Sequence, residues 1–234
     1  MRTGKLLDES IKEKIKTKEK EKYSEYISFL HEESIVSDGE VSTASVVNRI
    51  YRKISGVPDY IDGHYPGAND CSPVASGNIV MYWDANGYPN MSYDNTPSSV
   101  ISRLHTFMNT DSIRGTSGEN LEIGLDRYMQ ERYANANSDR RGAPSFANMS
   151  NEIAAKRPAL IHLDSYNTEG DSEVGHSVTL VGTESYQETT QNLRYYYNLV
   201  IHDVWASTPT DVWISFGRGG HTVYAHTVVS PYGL

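Results

Sequence analysis

The stretch that decides the fold runs from Asp70 to Trp83 and reads Asp-Cys-Ser-Pro-Val-Ala-Ser-Gly-Asn-Ile-Val-Met-Tyr-Trp. It contains the single cysteine of the chain, Cys71. A proline two residues later suits the first turn of a helix, where its missing N–H leaves no hydrogen bond unmade. Asp70 or Ser72 can cap the free backbone donors. This pattern predicts a buried helix over residues 71–86 that begins at the sulfur.

The predicted position of Cys71 is typical of a thiolate nucleophile. Unpaired N–H groups and the positive end of a helix dipole stabilise a negative sulfur, and a nearby charged histidine adds to the effect. Such a thiolate can attack a carbonyl carbon at neutral pH. The alternative is that Cys71 is a small buried apolar residue. Other parts of the sequence must therefore decide between the two interpretations.

A catalytic cysteine needs a base that is distant in sequence and adjacent in space, and His176 is the candidate. Residues 174–182 read Val-Gly-His-Ser-Val-Thr-Leu-Val-Gly, which predicts a buried strand with His176 at its start. The alternative role for His176 is that of a hydrogen-bonded structural histidine.

The group expected to orient the imidazole is Asp203, at the end of the next predicted strand. Trp205 follows two residues later, where an indole can cover the Asp–His hydrogen bond and exclude water from it. Taken alone, an aspartate at the end of a strand is more typical of a turn.

Together these residues resemble those of a papain-like cysteine peptidase, with aspartate in place of the asparagine in that family's Asn-Ser-Trp. Residues 70–83 are similar to the bacterial peptidases that process bacteriocins with a double-glycine leader. Their pattern is Gly/Asp-Cys-Gly/Ser-Pro-Thr/Ala-Ala, followed by a helix that ends in Tyr-Trp or Tyr-Tyr. Residues 60–90 and 174–216 carry the resemblance.

The resemblance implies a triad of Cys71, His176 and Asp203 that hydrolyses peptide bonds through a thioester acyl-enzyme. It implies a peptide or protein substrate, no cofactor, no metal, and a secreted or cell-surface location in a bacterium. Two alternatives use the same fold: an acyl or isopeptide transferase with the same triad, and a catalytically inactive peptide-binding module.

One departure from the family concerns the oxyanion hole. These peptidases commonly place a glutamine about six residues before the cysteine, and Tyr65 stands there instead. The backbone N–H of Cys71 can supply one donor, and the Asn69 side chain or the Tyr65 hydroxyl can supply the second. We expect Asn69 to be that donor, although asparagine at this position is equally typical of a turn.

Composition indicates a globular protein and excludes some function classes. A chain of 234 residues can form one two-lobed domain of papain size. The net charge of −9 and the pI near 5.3 argue against a nucleic-acid partner. No apolar stretch is long enough for a membrane span, and no signal-peptide pattern is visible. One cysteine excludes a disulfide within the chain, as expected in a reducing cytosol or for an exported enzyme whose only cysteine is catalytic.

Charge divides the chain into two parts. Residues 1–36 contain seven of the nine lysines and balance eight acidic against eight basic side chains. Their thin apolar stripe predicts a charged helical arm, which can serve as a pro-segment. Residues 37–234 carry the whole net charge and form the predicted peptidase domain.

The order of the predicted elements indicates an α+β fold. We predict a helical N-terminal lobe that carries the nucleophile helix and packs on a lobe made of an antiparallel sheet, with the site between them. His162 and Asp164 share one predicted strand face, but with no third ligand nearby they do not predict a metal site. The predicted helices cover residues 44–54, 71–86, 98–108, 119–133 and 145–156, and the predicted strands cover residues 159–164, 176–183, 195–202, 212–216 and 222–229.

Overall fold

The structure is a computed structural model that describes residues 46–63, 69–168, 171–189, 194–218 and 222–233. In these ranges the fold is mixed α/β, with a seven-stranded antiparallel sheet and four helices. The strands are β1 Val46–Lys53, β2 Asn137–Gly142, β3 Ala159–Thr168, β4 Asp171–Glu188, β5 Arg194–His202, β6 Val212–Ser215 and β7 Val223–Ser230. The helices are α1 Cys71–Ala85, α2 Pro97–Phe107, α3 Gly118–Gln130 and α4 Phe146–Ala154.

The long strand β4 organises the sheet. The strand order is β2-β7-β3-β4-β5-β6, and β1 pairs with β4 outside this path. β3 pairs with the first part of β4, up to Leu180, and β1 pairs with the second part, from Gly182 onward. β5 pairs with β4 only from Thr179 onward, so β5 ends just before the level of His176. The loop after β5 therefore begins beside the first part of β4.

Helix α1 lies in the core, packed against α2 and β4. Its first ten residues are all buried, and 12 of its 15 residues are buried in total. A helix of this kind is stable only when it is enclosed on all sides. Gly77 allows α2 to come close, because a Cβ at this position would lie 2.6 Å from Cγ1 of Ile101. The rigid packing of α1 determines where its first residue, Cys71, lies.

Most of the predicted elements are confirmed. The four helices predicted after residue 70 and all five predicted strands are present, with shifted ends. β3 continues to Thr168, beyond the predicted end at residue 164, and β4 extends in both directions. The predicted arm, residues 1–36, lies outside the described residues. No helix in the described part of the chain is long and apolar enough to cross a membrane.

The helix predicted over residues 44–54 is wrong, because residues 46–53 form strand β1. The segment is rich in β-branched and aromatic side chains, which favour a strand when a partner is present. That partner is the second part of β4, which is more than 120 residues away in sequence. Asn48, with a φ of 54°, lies at an irregularity in the pairing. The pairing with β4 outweighs the local helical spacing.

Strand β2 was not predicted from the sequence. Its residues read Asn-Ser-Asp-Arg-Arg-Gly, which lacks the apolar alternation of a half-buried strand. It lies at one end of the strand order and pairs only with β7 along that path. Charged side chains are typical of edge strands, since they oppose pairing with other chains.

Candidate active site

Cys71 is the first residue of α1, as predicted, and its side chain is 5% exposed. The helix is capped by the main chain of Asp70, whose carbonyl oxygen accepts a hydrogen bond from Val74 N at 2.9 Å. The sulfur therefore lies at the positive end of the helix, where a negative charge is stabilised. Its nearest polar contact is Ser72 Oγ at 4.0 Å.

The Asp70 side chain has a different role from the one predicted, because it makes no capping hydrogen bond. The carboxylate is fully buried, and its Oδ1 lies 3.2 Å from Nε2 of His105 on α2. Burial raises the pKa of Asp70, the charge of Asp62 adds to this, and His105 opposes it. A carboxyl–imidazole pair thus lies directly beside Cys71. No local pattern marks His105, because the contact depends on how α2 packs against α1.

His176 lies in β4, is fully buried, and packs against two aromatic rings that also contact each other. The Tyr166 ring stacks on the imidazole with centroids 5.2 Å apart and planes 14° from parallel. The Trp205 indole lies on the imidazole with a centroid distance of 4.9 Å. His176 Nε2 is 2.8 Å from the main-chain oxygen of Asp203. Because a carbonyl oxygen only accepts, Nε2 donates, and Nδ1 is the basic atom of the neutral ring.

Asp203 contacts His176 through its main-chain oxygen, and an orienting role for its side chain stays a prediction. Its carboxylate accepts hydrogen bonds from Tyr166 Oη at 2.7 Å, Trp205 N at 3.1 Å and Thr208 Oγ1 at 2.5 Å. The Asp203 side chain therefore organises the loop that follows β5, and the loop presents the carbonyl oxygen to the imidazole. Burial raises the pKa of Tyr166, and the charge and hydrogen bond of Asp203 raise it further.

The backbone of Val204 explains this arrangement. Val204 has a φ of 62°, which is rare for a β-branched residue and costs about 1–3 kcal/mol. Its side chain is fully buried, and its oxygen accepts a hydrogen bond from Asp62 N at 2.7 Å. These contacts hold the chain in the left-handed conformation directly after the Asp203 carbonyl.

The structure places Trp205 where the sequence predicted it, against the His176 ring. It also brings in Tyr166, which the sequence analysis missed. The Tyr166 ring contacts both the imidazole and the Trp205 indole, the latter with centroids 4.9 Å apart. Only a correct end for β3 would have pointed to Tyr166, which lies two residues beyond the predicted end of that strand.

Asn69 lies two residues before the sulfur with a φ of 56°. Its Nδ2 donates a hydrogen bond to the carbonyl oxygen of Ser112 at 2.6 Å. This contact connects the start of α1 to a neighbouring loop. Asn69 as the oxyanion donor stays a prediction, and Tyr65 lies outside the described residues.

A hydrogen bond joins the residues that directly follow Cys71 and His176 in sequence. Ser72 Oγ donates a hydrogen bond to Ser177 Oγ at 3.0 Å, so the residue after the cysteine is bonded to the residue after the histidine. Within the described residues, no group of three or more His, Cys, Asp or Glu side chains is arranged to hold a metal ion.

A second acidic residue, Asp59, lies close to the loop that carries Asp203. Its Oδ1 is buried and has no hydrogen-bond partner among the described residues. Burial raises the pKa of Asp59 to about 7; the charges of Asp203 and Asp211 add to this, and His202 opposes it. His202 in turn bonds Asp211 Oδ1 at 3.2 Å and the carbonyl oxygen of Pro58 at 2.8 Å.

The raised pKa of Asp59 predicts that the stability of the fold depends on pH. The folded chain binds the Asp59 proton more tightly than the unfolded chain, where the pKa is near 3.8, so folding is disfavoured as the pH rises from about 4 to about 7. We expect Asp59→Asn to raise the free energy of unfolding at pH 8 by about 1–3 kcal/mol and to have little effect at pH 4. Urea unfolding at several pH values measures this, with Asp164→Asn, at an exposed aspartate, as the control. A stability difference that does not change with pH would contradict the prediction.

The comparisons with known proteins add a distant structural similarity. A crystal structure of a candidate C39-like peptidase from Bacillus anthracis aligns with 77% of this chain and 98% of its own chain, at 15% sequence identity and a TM-score of 0.44. No protein-family model matches the chain, and no curated protein matches it. A likeness at this level concerns the fold and carries no information about activity.

Proposed function

We propose that this protein is a cysteine peptidase of the papain-like type, with Cys71 as nucleophile, His176 as base and Asp203 as the orienting residue. The observation that carries the proposal is the hydrogen bond from His176 Nε2 to the Asp203 carbonyl oxygen, 2.8 Å long and fully buried. It holds the imidazole in one tautomer and one orientation, as a general base requires. The helix that begins at Cys71 is bonded to the strand next to this imidazole.

The proposed reaction follows from these positions. Nδ1 of His176 takes the proton of the Cys71 thiol, and the thiolate attacks the carbonyl carbon of the scissile peptide bond. The developing oxyanion is stabilised by the Cys71 N–H and by a second donor, for which Asn69 is the candidate. The imidazolium gives its proton to the departing amine, which leaves a thioester. Water, deprotonated by His176, then releases the carboxylic acid and restores the thiol.

The two aromatic rings have a defined role in this mechanism. Tyr166 and Trp205 pack against the buried imidazole and contribute to separating its hydrogen bond from water, which strengthens the electrostatic interaction. An imidazolium formed here also lies over the face of the Tyr166 ring, an arrangement that favours a cation. The two rings therefore support the imidazolium that the proposed mechanism requires.

The test is alkylation followed by peptide cleavage. Because the chain has one cysteine, any label from iodoacetamide or an E-64-type epoxide reports on Cys71 alone. We expect labelling at pH 5–7, well below the range in which an ordinary thiol reacts, and cleavage of peptides from a library with release of free carboxylic acid. A label that appears only above about pH 8, without any cleavage, would contradict the proposal. Transfer of the acyl group to an added amine, without hydrolysis, would instead indicate a transferase.

The contacts of Asp203 predict different effects for two substitutions. Asp203→Ala removes the acceptor for three donors and keeps the carbonyl, so the loop loses its support; we expect kcat/KM to fall about a hundredfold. Asp203→Asn keeps one acceptor oxygen and loses the charge, so we expect a smaller loss and an alkaline limb that moves to lower pH. Profiles of kcat/KM against pH measure both effects.

Tyr166→Phe serves as the control, because it removes only the hydroxyl that bonds the Asp203 carboxylate and keeps the stacked ring. We expect its loss to be smaller than that of Asp203→Ala. An unchanged rate and pH profile in Asp203→Ala would show that the carboxylate is an ordinary turn residue and that the carbonyl alone orients His176.

A further inference from the structure

The start of α1 is joined to β4 by a buried hydrogen bond between two serines. Ser72 follows Cys71 and Ser177 follows His176, and their Oγ atoms are 3.0 Å apart. Ser72 is 2% exposed and Ser177 is 6% exposed. We propose that Ser72 and Ser177 are positioning residues that hold the Cys71 sulfur in register with the His176 imidazole. This inference rests on the proposed peptidase function.

The serine pair is one end of a longer chain of buried hydrogen bonds. Ser177 Oγ is 3.0 Å from Nδ1 of His162 on β3, and His162 Nε2 is 2.8 Å from Oγ1 of Thr227 on β7. His162 is 1% exposed and Thr227 is fully buried. The chain therefore runs from the first turn of α1 through three neighbouring strands of the sheet.

The donors and acceptors of this chain follow from its first bond. Ser72 donates to Ser177, so the Ser177 hydroxyl hydrogen is directed to Nδ1 of His162. A neutral imidazole that accepts at Nδ1 carries its proton on Nε2, which donates to Thr227. Each residue of the chain then donates a hydrogen bond to the next one, from Ser72 through Ser177 and His162 to Thr227.

This order of hydrogen-bond donors and acceptors does not change over the pH range in which a thiolate peptidase works. Burial, together with the charges of Arg140 and His226, lowers the pKa of His162 to about 3. His162 is therefore neutral at any pH at which a thiolate peptidase works, and it cannot reverse or break the chain by taking a second proton.

A second hydrogen-bonded contact between α1 and β4 shows that the serine pair is not needed merely to attach the helix. Asn78 Nδ2 donates to Thr179 Oγ1 at 3.1 Å, and Thr179 Oγ1 donates to the Ala75 carbonyl oxygen at 3.0 Å. This contact holds α1 at residues 75 and 78. The serine pair acts one turn earlier, at the end of the helix that carries the sulfur, where a displacement of about 1 Å can reduce a rate a hundredfold.

The test compares the serine variants with a matched variant of the second contact. Ser72→Ala and Ser177→Ala each break the serine bond, and Thr179→Val removes a hydroxyl from the same helix–strand interface with little change in shape. We expect kcat to fall at least about tenfold in both serine variants with KM nearly unchanged, and less than about twofold in Thr179→Val. We also expect the midpoint of the pH dependence of Cys71 alkylation to rise by about one pH unit in the serine variants alone.

Four further results are decisive. The double variant should be no worse than Ser177→Ala, because Ser177→Ala already removes the bond that the two serines share. If Ser177→Ala does not fold, the kcat and the alkylation midpoint of Ser72→Ala alone test the inference, since this variant leaves the bond between Ser177 and His162 in place. Serine variants that behave like Thr179→Val in both kcat and alkylation would overturn the inference. If the wild-type chain cleaves no peptide, the peptidase proposal fails, and the alkylation midpoints still show whether the serines position the sulfur.

Discussion

Cys71→Ala is expected to abolish alkylation and to reduce peptide hydrolysis by at least about a thousandfold, while the fold stays intact. The sulfur is the atom that forms the proposed thioester, and the remaining groups of the site cannot replace it. Because alanine occupies the same small buried position, we expect the free energy of unfolding to change by about 1 kcal/mol or less. Single-turnover hydrolysis and thermal unfolding measure the two quantities on the same sample.

Ser76→Ala is the matched control for this substitution. Ser76 is a small, fully buried residue of the same helix, more than one turn away from Cys71. We expect the Ser76→Ala variant to keep its activity and its labelling. Hydrolysis that persists in Cys71→Ala at the wild-type rate would show that the cysteine is part of the core and that the peptidase proposal is wrong.

His176→Ala is expected to be about as damaging as Cys71→Ala, and the double variant no worse than either. The thiol needs a proton acceptor and the leaving amine needs a proton donor, and both roles belong to the same imidazole in the proposed mechanism. Residues that act as one unit show losses that are far from additive. The measurements are kcat/KM for the two single variants and the double variant, and the alkylation rate of His176→Ala at pH 6, which we expect to fall.

His226→Ala provides the corresponding control. His226 lies on β7 and is also buried, so this substitution removes an imidazole from the core just as His176→Ala does. We expect it to affect stability more than kcat. If the losses from Cys71→Ala and His176→Ala simply added, the two residues would act at separate places and the proposed site would be wrong.

The local sequence was sufficient to predict the elements that carry the candidate site. The buried helix at Cys71 follows from an apolar run behind a proline in the first turn, and the strand around His176 follows from β-branched residues between glycines. Both signals are local in the chain. Strand β1 was mistaken for a helix because its stability comes from pairing with β4, which is distant in sequence.

The contacts inside the site depend on features that no local pattern contains. The Asp203 carbonyl faces His176 because Val204 adopts a positive φ, and a valine gives no indication of that conformation. The pair formed by Asp70 and His105 depends on the packing of α2 against α1. These contacts arise only when segments far apart in the sequence meet, so residue type and spacing cannot predict them.

The place of β7 in the sheet has a consequence for the order of assembly during synthesis. β7 is the last described strand to leave the ribosome, yet it inserts between β2 and β3. Until it is made, the edge of β3 is open, and an unpaired edge is prone to pair with other chains. Cys71 and His176 are both synthesised earlier. Thr227 is synthesised with β7 and completes the chain of hydrogen bonds that begins at Ser72. A nascent chain would thus contain Cys71 before it contains this support, so the proposed peptidase activity would be delayed until the last strand is in place.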